Sequence, residues 1–338
     1  MRVAIVTDAW APQVNGVVRT LDAVTQELRA MGHDVGVIAP DAFRSLPCPT
    51  YPEIRLALAG TRAVGGRIAE FGAEAVHIAT EGPLGVAARR WCVARGRPFT
   101  TAYHTQFPDY VAARTGANPE WVWRYIRWFH SPAQSILAST ATIEATLAAH
   151  GLAQARRWGR GVSAEFRAHG RLDAALAALP RPIMLYVGRV AVEKNVAAFL
   201  AADHPGSKVV VGDGPVRAAL EARFPQAHFL GSRFGEELAA AYRTADVLVF
   251  PSRTDTFGLV MIEALACGTP VAAYPVTGPV DVLTAESGVM HHDLAAAIAG
   301  ALALDPRRCA ELGAKFTWRA SAEQFLAALA PVPAALAA

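Results

Sequence analysis

The feature that most constrains this chain is an alternation, run twice, of short β-rich stretches with amphipathic helical stretches. Parallel strands cannot be joined by a tight turn and need a crossover segment, usually a helix. The alternation therefore predicts parallel sheets covered by helices on both faces. In the first pass, Arg2–Thr7, Asp34–Ile38, Ala75–Ile78, Phe99–Ala102 and Ser135–Ala138 read as buried strands. Val17–Met31 has helical spacing, with Val17, Leu21, Val24, Leu28 and Met31 on one side and Gly32 placed to end it. The scheme restarts with Ile183–Val187, Gly188, a polar loop and a helix from about Asn195. It continues through Lys208–Val211, His228–Leu230, Val247–Phe250 and Val271–Ala273. Between the passes, Arg156–Gly170 is rich in Gly and Arg and weakly periodic, and reads as the connection.

Two halves fit the length. A chain of 338 residues exceeds what one core usually holds. With 53% apolar and 18% charged residues, disorder is not expected, except for fraying of the Ala- and Pro-rich tail Pro331–Ala338. No run of about 18 uncharged apolar residues suggests a membrane-spanning helix, and the stretch before Asp8 is too short for a signal peptide. Cys48, Cys92, Cys267 and Cys309 are scattered without zinc or disulfide spacing, which points to reduced thiols in the cytoplasm. The net charge of +3 does not suggest nucleic acid. Arginines cluster at 89, 90, 95 and 97, at 124 and 127, and at 156, 157 and 160. They form either a solvated face or a surface facing anionic lipid.

In open α/β sheets, ligands bind at the carboxyl ends of the strands. The most informative stretch there is 251–270, PSRTDTFGLVMIEALACGTP, directly after a strand. Asp255 falls in the loop, and Glu263 falls in a helix beginning near Gly258. The amides of Phe257, Gly258, Leu259 and Val260 would open that helix toward an anion, and the carboxylates can accept hydrogen bonds from sugar hydroxyls. On spacing alone, a capping Asp and an incidental helix Glu explain the stretch better.

This stretch resembles the signature of retaining glycosyltransferases of family four, which have the GT-B fold. Their motif is an acidic residue, seven residues, then Glu, with Phe-Gly after the first acid and Gly-x-Pro-Val after the second. Here it reads Asp255, Phe257-Gly258, Glu263 and Gly268-Thr269-Pro270-Val271. The resemblance implies that Asp255 contacts the donor hexose and Glu263 the ribose. Asp where the family usually has Glu shortens the reach by one methylene and bears on which sugar is taken. Gly188-Arg189 and Lys194-Asn195 are similar to the family element whose Arg and Lys clamp the donor pyrophosphate. The loop 8–19, DAWAPQVNGVVR, places Asn15 and Gly16 before a helix, where related enzymes meet the phosphates. It is not Gly-x-Gly-x-x-Gly, which lowers the case for a nicotinamide cofactor. Tyr103-His104-Thr105 is similar to an element whose His approaches the donor sugar. Gly212-Asp213-Gly214-Pro215 resembles a turn near the nucleotide, and Gly231-Ser232-Arg233 sits where members hold the base. Phe316-Thr317-Trp318 resembles the closing helix that returns to the first domain. The wording of 12–18, PQVNGVV, and 103–110, YHTQFPDY, is closest to bacterial α-mannosyltransferase-like and glycolipid-forming members.

The resemblance thus implies two Rossmann-like domains facing a cleft: residues 1–165 for the acceptor and 166–317 for the nucleotide-sugar, with a helix at about 318–332 packing back on the first. The donor would be a UDP- or GDP-linked hexose, and the acceptor a membrane lipid or lipid-linked glycan. No Asp-x-Asp occurs, so no metal or other cofactor is expected, and Arg189, Lys194 and helix amides would meet the leaving charge. No nucleophile is assigned. In 121–130, WVWRYIRWFH, Trp121, Tyr125 and Trp128 share a helical face beside Arg124 and Arg127. That face is either packed into the first domain or set against an anionic membrane, which would make the enzyme peripheral on the inner face of the cell membrane. Competing readings are a sugar-nucleotide epimerase, a phosphorylase, and a non-catalytic sugar-nucleotide-binding protein. Three lysines, at 194, 208 and 315, leave little room for a phosphorylase's pyridoxal-phosphate lysine.

Overall fold

The structure, a computed structural model, describes residues 1–13, 15–48, 51–104 and 118–331. Val14, the run 105–110 of the YHTQFPDY motif and the tail from 332 onward lie outside the described residues. The chain divides into two compact units. One comprises Met1–Arg160 with the segment from Trp318, and the other Gly161–Thr317.

The first unit is built on a six-stranded parallel sheet. Its strands are β1 (Arg2–Val6), β2 (Asp34–Ile38), β5 (Ala75–Ile78), β6 (Thr100–Tyr103), β7 (Ser135–Ala138) and β8 (Ala155–Arg157), in the order β2-β1-β5-β6-β7-β8. A two-stranded antiparallel ribbon, β3 (Ser45–Cys48) with β4 (Tyr51–Ala57), stands apart from it. The central strands are apolar because both faces are covered, and Val3, Ala4, Ile5 and Val6 are all fully buried. Helix α1 (Gly16–Ala30) buries Leu21, Val24 and Leu28 as the spacing predicts. Gly32, at φ 85°, carries the chain out of it. Helices α2 (Thr61–Glu70), α3 (Pro83–Ala94) and α4 (Pro119–His130) follow.

The C-terminal helix Trp318–Ala328 belongs to this first unit. Phe325 is fully buried against Trp158 and His77, and Ser321 Oγ donates to the carbonyl of Gly159 at 2.9 Å. Arg156 and Arg157, at the start of the stretch read as a connection, form edge strand β8 with Ala155, and the first compact unit runs to Arg160.

The second unit is a six-stranded parallel sheet of β9 (Ile183–Val187), β10 (Ser207–Val211), β11 (His228–Phe229), β12 (Val247–Phe250), β13 (Val271–Ala273) and β14 (Gly288–Met290). The order is β11-β10-β9-β12-β13-β14, so the strand order reverses between β9 and β12. In doubly wound sheets ligands bind at such a reversal, outside the carboxyl ends of the strands. The loops after β9 and β12 hold Arg189, Lys194 and Asp255. In the first unit the reversal lies between β1 and β5, where the loop from Asp8 begins.

Candidate active site

In the second unit, β12 ends at Phe250 and the loop 251–258 leads to helix α5 (Leu259–Ala266). Asp255 Oδ1 accepts from the amides of Thr256 and Phe257, at 2.9 and 3.4 Å. Its Oδ2 accepts from Lys194 Nζ at 2.7 Å. The two side chains are 18% and 30% exposed, so the pair is half-open to solvent. The sequence reading gave these residues separate tasks, whereas the fold joins them.

Asn195 accounts for the pairing. It is the one non-glycine residue with positive φ among those described, at 54° in the left-handed region, where Asn is tolerated best. Its side-chain amide donates to the carbonyl of Pro251 at 3.2 Å. That bond ties the loop after β9 to the start of the loop after β12. The sequence quotes Lys194-Asn195 as a unit, but only the cation had been given a task. The αL tendency of Asn was the signal that could have identified it.

Gly258 is the N-cap of α5, at φ 83°. A Cβ there would stand 2.8 Å from Met261 Cε and 3.1 Å from the Phe250 ring. Of the four amides expected to face an anion, that of Phe257 turns to Asp255. Those of Gly258, Leu259 and Val260 donate to no described residue. Phe257's side chain is buried. Glu263 is 2% exposed, and the hydroxyl of Tyr242 donates to its Oε2 at 3.1 Å. The two acids are therefore not equivalent: Asp255 reaches solvent and Glu263 is buried.

Arg189 follows Gly188 at the end of β9 and is exposed. Its carbonyl accepts from the Tyr186 hydroxyl at 2.7 Å. Burial, with Asp255 and Glu193 nearby, pushes that phenol well above its usual value, so it stays a neutral donor. Gly212 packs backbone on backbone against this loop. At φ 142°, a Cβ on it would lie 1.8 Å from the Gly188 carbonyl oxygen, and its amide donates to Gly231 at 2.8 Å. Gly214 approaches the Val190 carbonyl as closely as a side-chain-free residue can, with 2.4 Å left for a Cβ. The Arg233 side chain forms an ion pair with Asp173, which also caps the short helix Ala174–Ala177. Although burial raises the Asp173 carboxyl, the Leu176 amide and the Arg233 guanidinium more than offset it and hold it below the usual value.

In the first unit, Asn15 caps α1, and its Oδ1 accepts from the amides of Val17 and Val18 at 3.0 Å each. Those two amides are thus already satisfied by the cap. Gly16 opens the helix in an exposed position. Asp8, near the β1–β5 reversal, accepts from Thr80 Oγ1 at 2.8 Å and from the amides of Leu84 and Gly85 at 2.9 and 3.3 Å. It thereby caps α3, whose own N-cap, Gly82, has no side chain to do so. His104 lies just beyond β6 with Arg160 Nη2 3.4 Å from its Nδ1. Burial, followed by the Arg160 guanidinium, keeps the imidazole neutral, well below the usual histidine value.

Helix α4 separates its aromatics by face. Trp123, Ile126, Phe129 and His130 are buried, while Trp121, Tyr125 and Trp128 are 73%, 39% and 40% exposed. The Arg89 guanidinium stacks over Trp128 at 4.0 Å. Among the described residues no helix is long and apolar enough to cross a membrane. No three of His, Cys, Asp or Glu among them converge as metal ligands would.

Two family models match the chain: "Glycosyltransferase Family 4" over residues 14–166 and "Glycosyl transferases group 1" over 181–304. A GDP-mannose-dependent alpha-mannosyltransferase of Mycobacterium tuberculosis is 35% identical over 315 residues, covering 84% of this chain and 82% of the relative. An alpha-monoglucosyldiacylglycerol synthase of Streptococcus pneumoniae is 26% identical, covering 96% of this chain and 83% of the relative. Among solved structures, sucrose-phosphate synthase from Thermosynechococcus elongatus superposes with a TM-score of 0.76 at 25% identity, covering 96% of this chain and 97% of that one.

Proposed function

The chain belongs to the family-4 glycosyltransferases, of GT-B fold, and on that premise we propose that it transfers mannose from GDP-mannose to a lipid-linked acceptor, with retention and without a metal ion. The observation that carries the catalytic half is the Lys194–Asp255 pair at the β9–β12 reversal, next to the open amides of Gly258, Leu259 and Val260. When the bond between the anomeric carbon and the diphosphate breaks, negative charge builds on the leaving oxygen. Lys194, Arg189 and those amides are fixed positive groups that would take it up without reorganising, in place of a divalent ion. Asp255, held by Lys194 and two amides, would accept from a hexose hydroxyl with its remaining lone pairs.

GDP as the leaving group is supported by the mannosyltransferase relative, which covers most of both chains. A lipid acceptor is supported by the diacylglycerol-glycosylating relative and by the exposed Trp121, Tyr125 and Trp128 beside Arg124 and Arg127. Aromatics with arginines favour the interface of an anionic membrane, so we place the enzyme peripherally at such a surface. Glu263, which accepts from the Tyr242 hydroxyl at Oε2, would accept from the ribose with its remaining lone pairs. No observation favours an epimerase or a purely binding role.

A thermal-shift panel of GDP, UDP and ADP, with and without EDTA, tests the donor. A ligand that binds only the folded state raises Tm by mass action. Stabilisation by GDP above the others, unchanged by EDTA, is expected. Preferential stabilisation by UDP would move the donor to a UDP-hexose, and loss of the GDP effect in EDTA would overturn metal-free binding.

A further inference from the structure

We propose that the first unit carries a binding pocket for a neutral sugar or cyclic polyol ring, set between the loop after β1, the turn after β2 and the ribbon β3–β4, and that it holds such a ring of the acceptor. The assignment to the acceptor rests on the transferase reading; the binding itself does not.

Three segments build the pocket. The Thr7 amide donates to the Ile38 carbonyl at 3.0 Å, so the chain leaves β1 and β2 side by side. Trp10 to Gln13 is closed as a turn by the Gln13 amide on the Trp10 carbonyl at 3.1 Å. Gln13 is buried, and its Nε2 donates to the Asp8 carbonyl at 3.3 Å. Pro40–Ala42 is one short 3-10 turn, with the Phe43 amide on the Pro40 carbonyl at 3.2 Å. On the ribbon, Arg55 Nε donates to Ser45 Oγ at 3.1 Å and Nη2 to the Ser45 carbonyl at 2.8 Å. Trp10, Pro12, Gln13, Asp41, Ser45 and Arg55 line a cavity of about 170 Å3. The ribbon, which stands apart from the sheet, thus serves as a wall.

The lining selects the ligand. A space of about 150 Å3 takes one six-membered ring. The half-buried Trp10 offers an apolar plate for the C–H face of a pyranose, and one N–H. Asp41 is exposed, and its carboxylate pairs with no described residue, so it can accept from two neighbouring hydroxyls. Arg55, fixed through Nε and Nη2, keeps Nη1 to donate. An anion drawn by Arg55 would meet Asp41, and a cation drawn by Asp41 would meet Arg55. A hydrocarbon ring would leave both polar groups unpaired. A neutral ring with hydroxyls around an apolar face suits all three side chains. The pocket also lies past the carboxyl ends of β1 and β2, beside the β1–β5 reversal, where open sheets bind ligands.

Two-dimensional 1H–15N spectra of the full-length protein labelled with 15N-tryptophan test this, with the Trp10 indole assigned by the signal lost in Trp10→Phe. Methyl α-mannoside and methyl α-glucoside are titrated in turn, and inorganic phosphate as the anion. A saturable shift of the Trp10 indole by a hexoside is expected, with Kd on the order of 1 mM. It should weaken about 10-fold in Asp41→Ala, and phosphate should not produce it. No saturable shift by either hexoside at about ten times that concentration, or saturation by phosphate alone, would overturn the pocket. The wild-type titration decides if the variant fails to fold. Transfer kinetics test the acceptor: Asp41→Ala should raise the acceptor KM about 10-fold with the donor KM unchanged. Hexoside binding with an unchanged acceptor KM would take the pocket away from the acceptor. If the protein transfers nothing, the titration still decides the pocket, because it needs neither donor nor turnover.

Discussion

Lys194 Nζ stands 2.7 Å from Asp255 Oδ2, joining the loop after β9 to the loop after β12 at the place where the strand order reverses. As a partly exposed ion pair it is worth little to stability, about 0.2–1 kcal/mol. Its significance is positional. The cation that would meet a diphosphate and the carboxylate that would meet the hexose are set relative to each other before any donor arrives. Lys194→Met should therefore lower kcat/KM about 100-fold or more, while Tm moves little. Equal losses in Tm and activity would make the pair a structural one.

Asp255→Asn tests the same relationship from the other side. It removes the charge that occupies Lys194 and frees the ammonium for the diphosphate. Titration calorimetry should show GDP binding unchanged or tighter, while transfer falls by about 100-fold or more. Weaker GDP binding would mean that Asp255 serves the nucleotide and not the sugar.

The loops around this pair depend on backbone contact that only glycine allows. Gly212→Ala places a Cβ 1.8 Å from the Gly188 carbonyl oxygen at φ 142°, and should cost about 3 kcal/mol in urea unfolding. Gly66→Ala, in open space on α2, provides the contrast. It should stabilise by about 0.5–1 kcal/mol, because alanine suits a helix interior better. A harmless Gly212→Ala would show that the two loops do not meet as described.

Acid should weaken the first unit through His77. This residue is fully buried, donates to or accepts from Thr100 Oγ1 at 2.9 Å, and burial lowers its pKa from 6.5 to about 3. The folded form stays neutral where the unfolded chain already binds a proton. Stability from this site is therefore complete above 6.5 and lost as pH falls toward about 3, by about 1.4 kcal/mol per pH unit. His104 acts in the same direction. His77→Leu should flatten the acid limb of urea midpoint against pH, and an unchanged slope would contradict the burial.

The exposed face of α4 gives a separate prediction. Trp121→Ala with Arg124→Ala should weaken binding to vesicles containing anionic lipid about 10-fold, with little change in fold, since neither residue is buried. Equal flotation of variant and wild type would remove this face from the membrane reading.

The sheets were legible because a parallel strand buried on both faces is a continuous apolar run, as in Ile183–Val187 and Val247–Phe250. The ribbon β3–β4 and the edge strand β8 were not, because they lack such runs: β8 is Ala-Arg-Arg with both arginines exposed. Motif resemblance named Lys194, Asp255 and Glu263 as candidates, but the pairings they make were not legible. Lys194 meets Asp255 because Asn195 adopts φ 54° and reaches Pro251. Glu263 is buried because Tyr242, on another helix, points at it. Arg233 turns to Asp173, 60 residues away in sequence. Each depends on a partner that local sequence does not name.

The most direct measurement is the transfer reaction itself: purified protein, GDP-mannose labelled with 13C in the sugar, and lipid vesicles, followed by NMR and mass spectrometry of the lipid fraction. The account predicts GDP released together with a mannosylated lipid whose anomeric carbon keeps the α configuration of the donor. Inversion at that carbon, or GDP release with free mannose as the only sugar product, would contradict it.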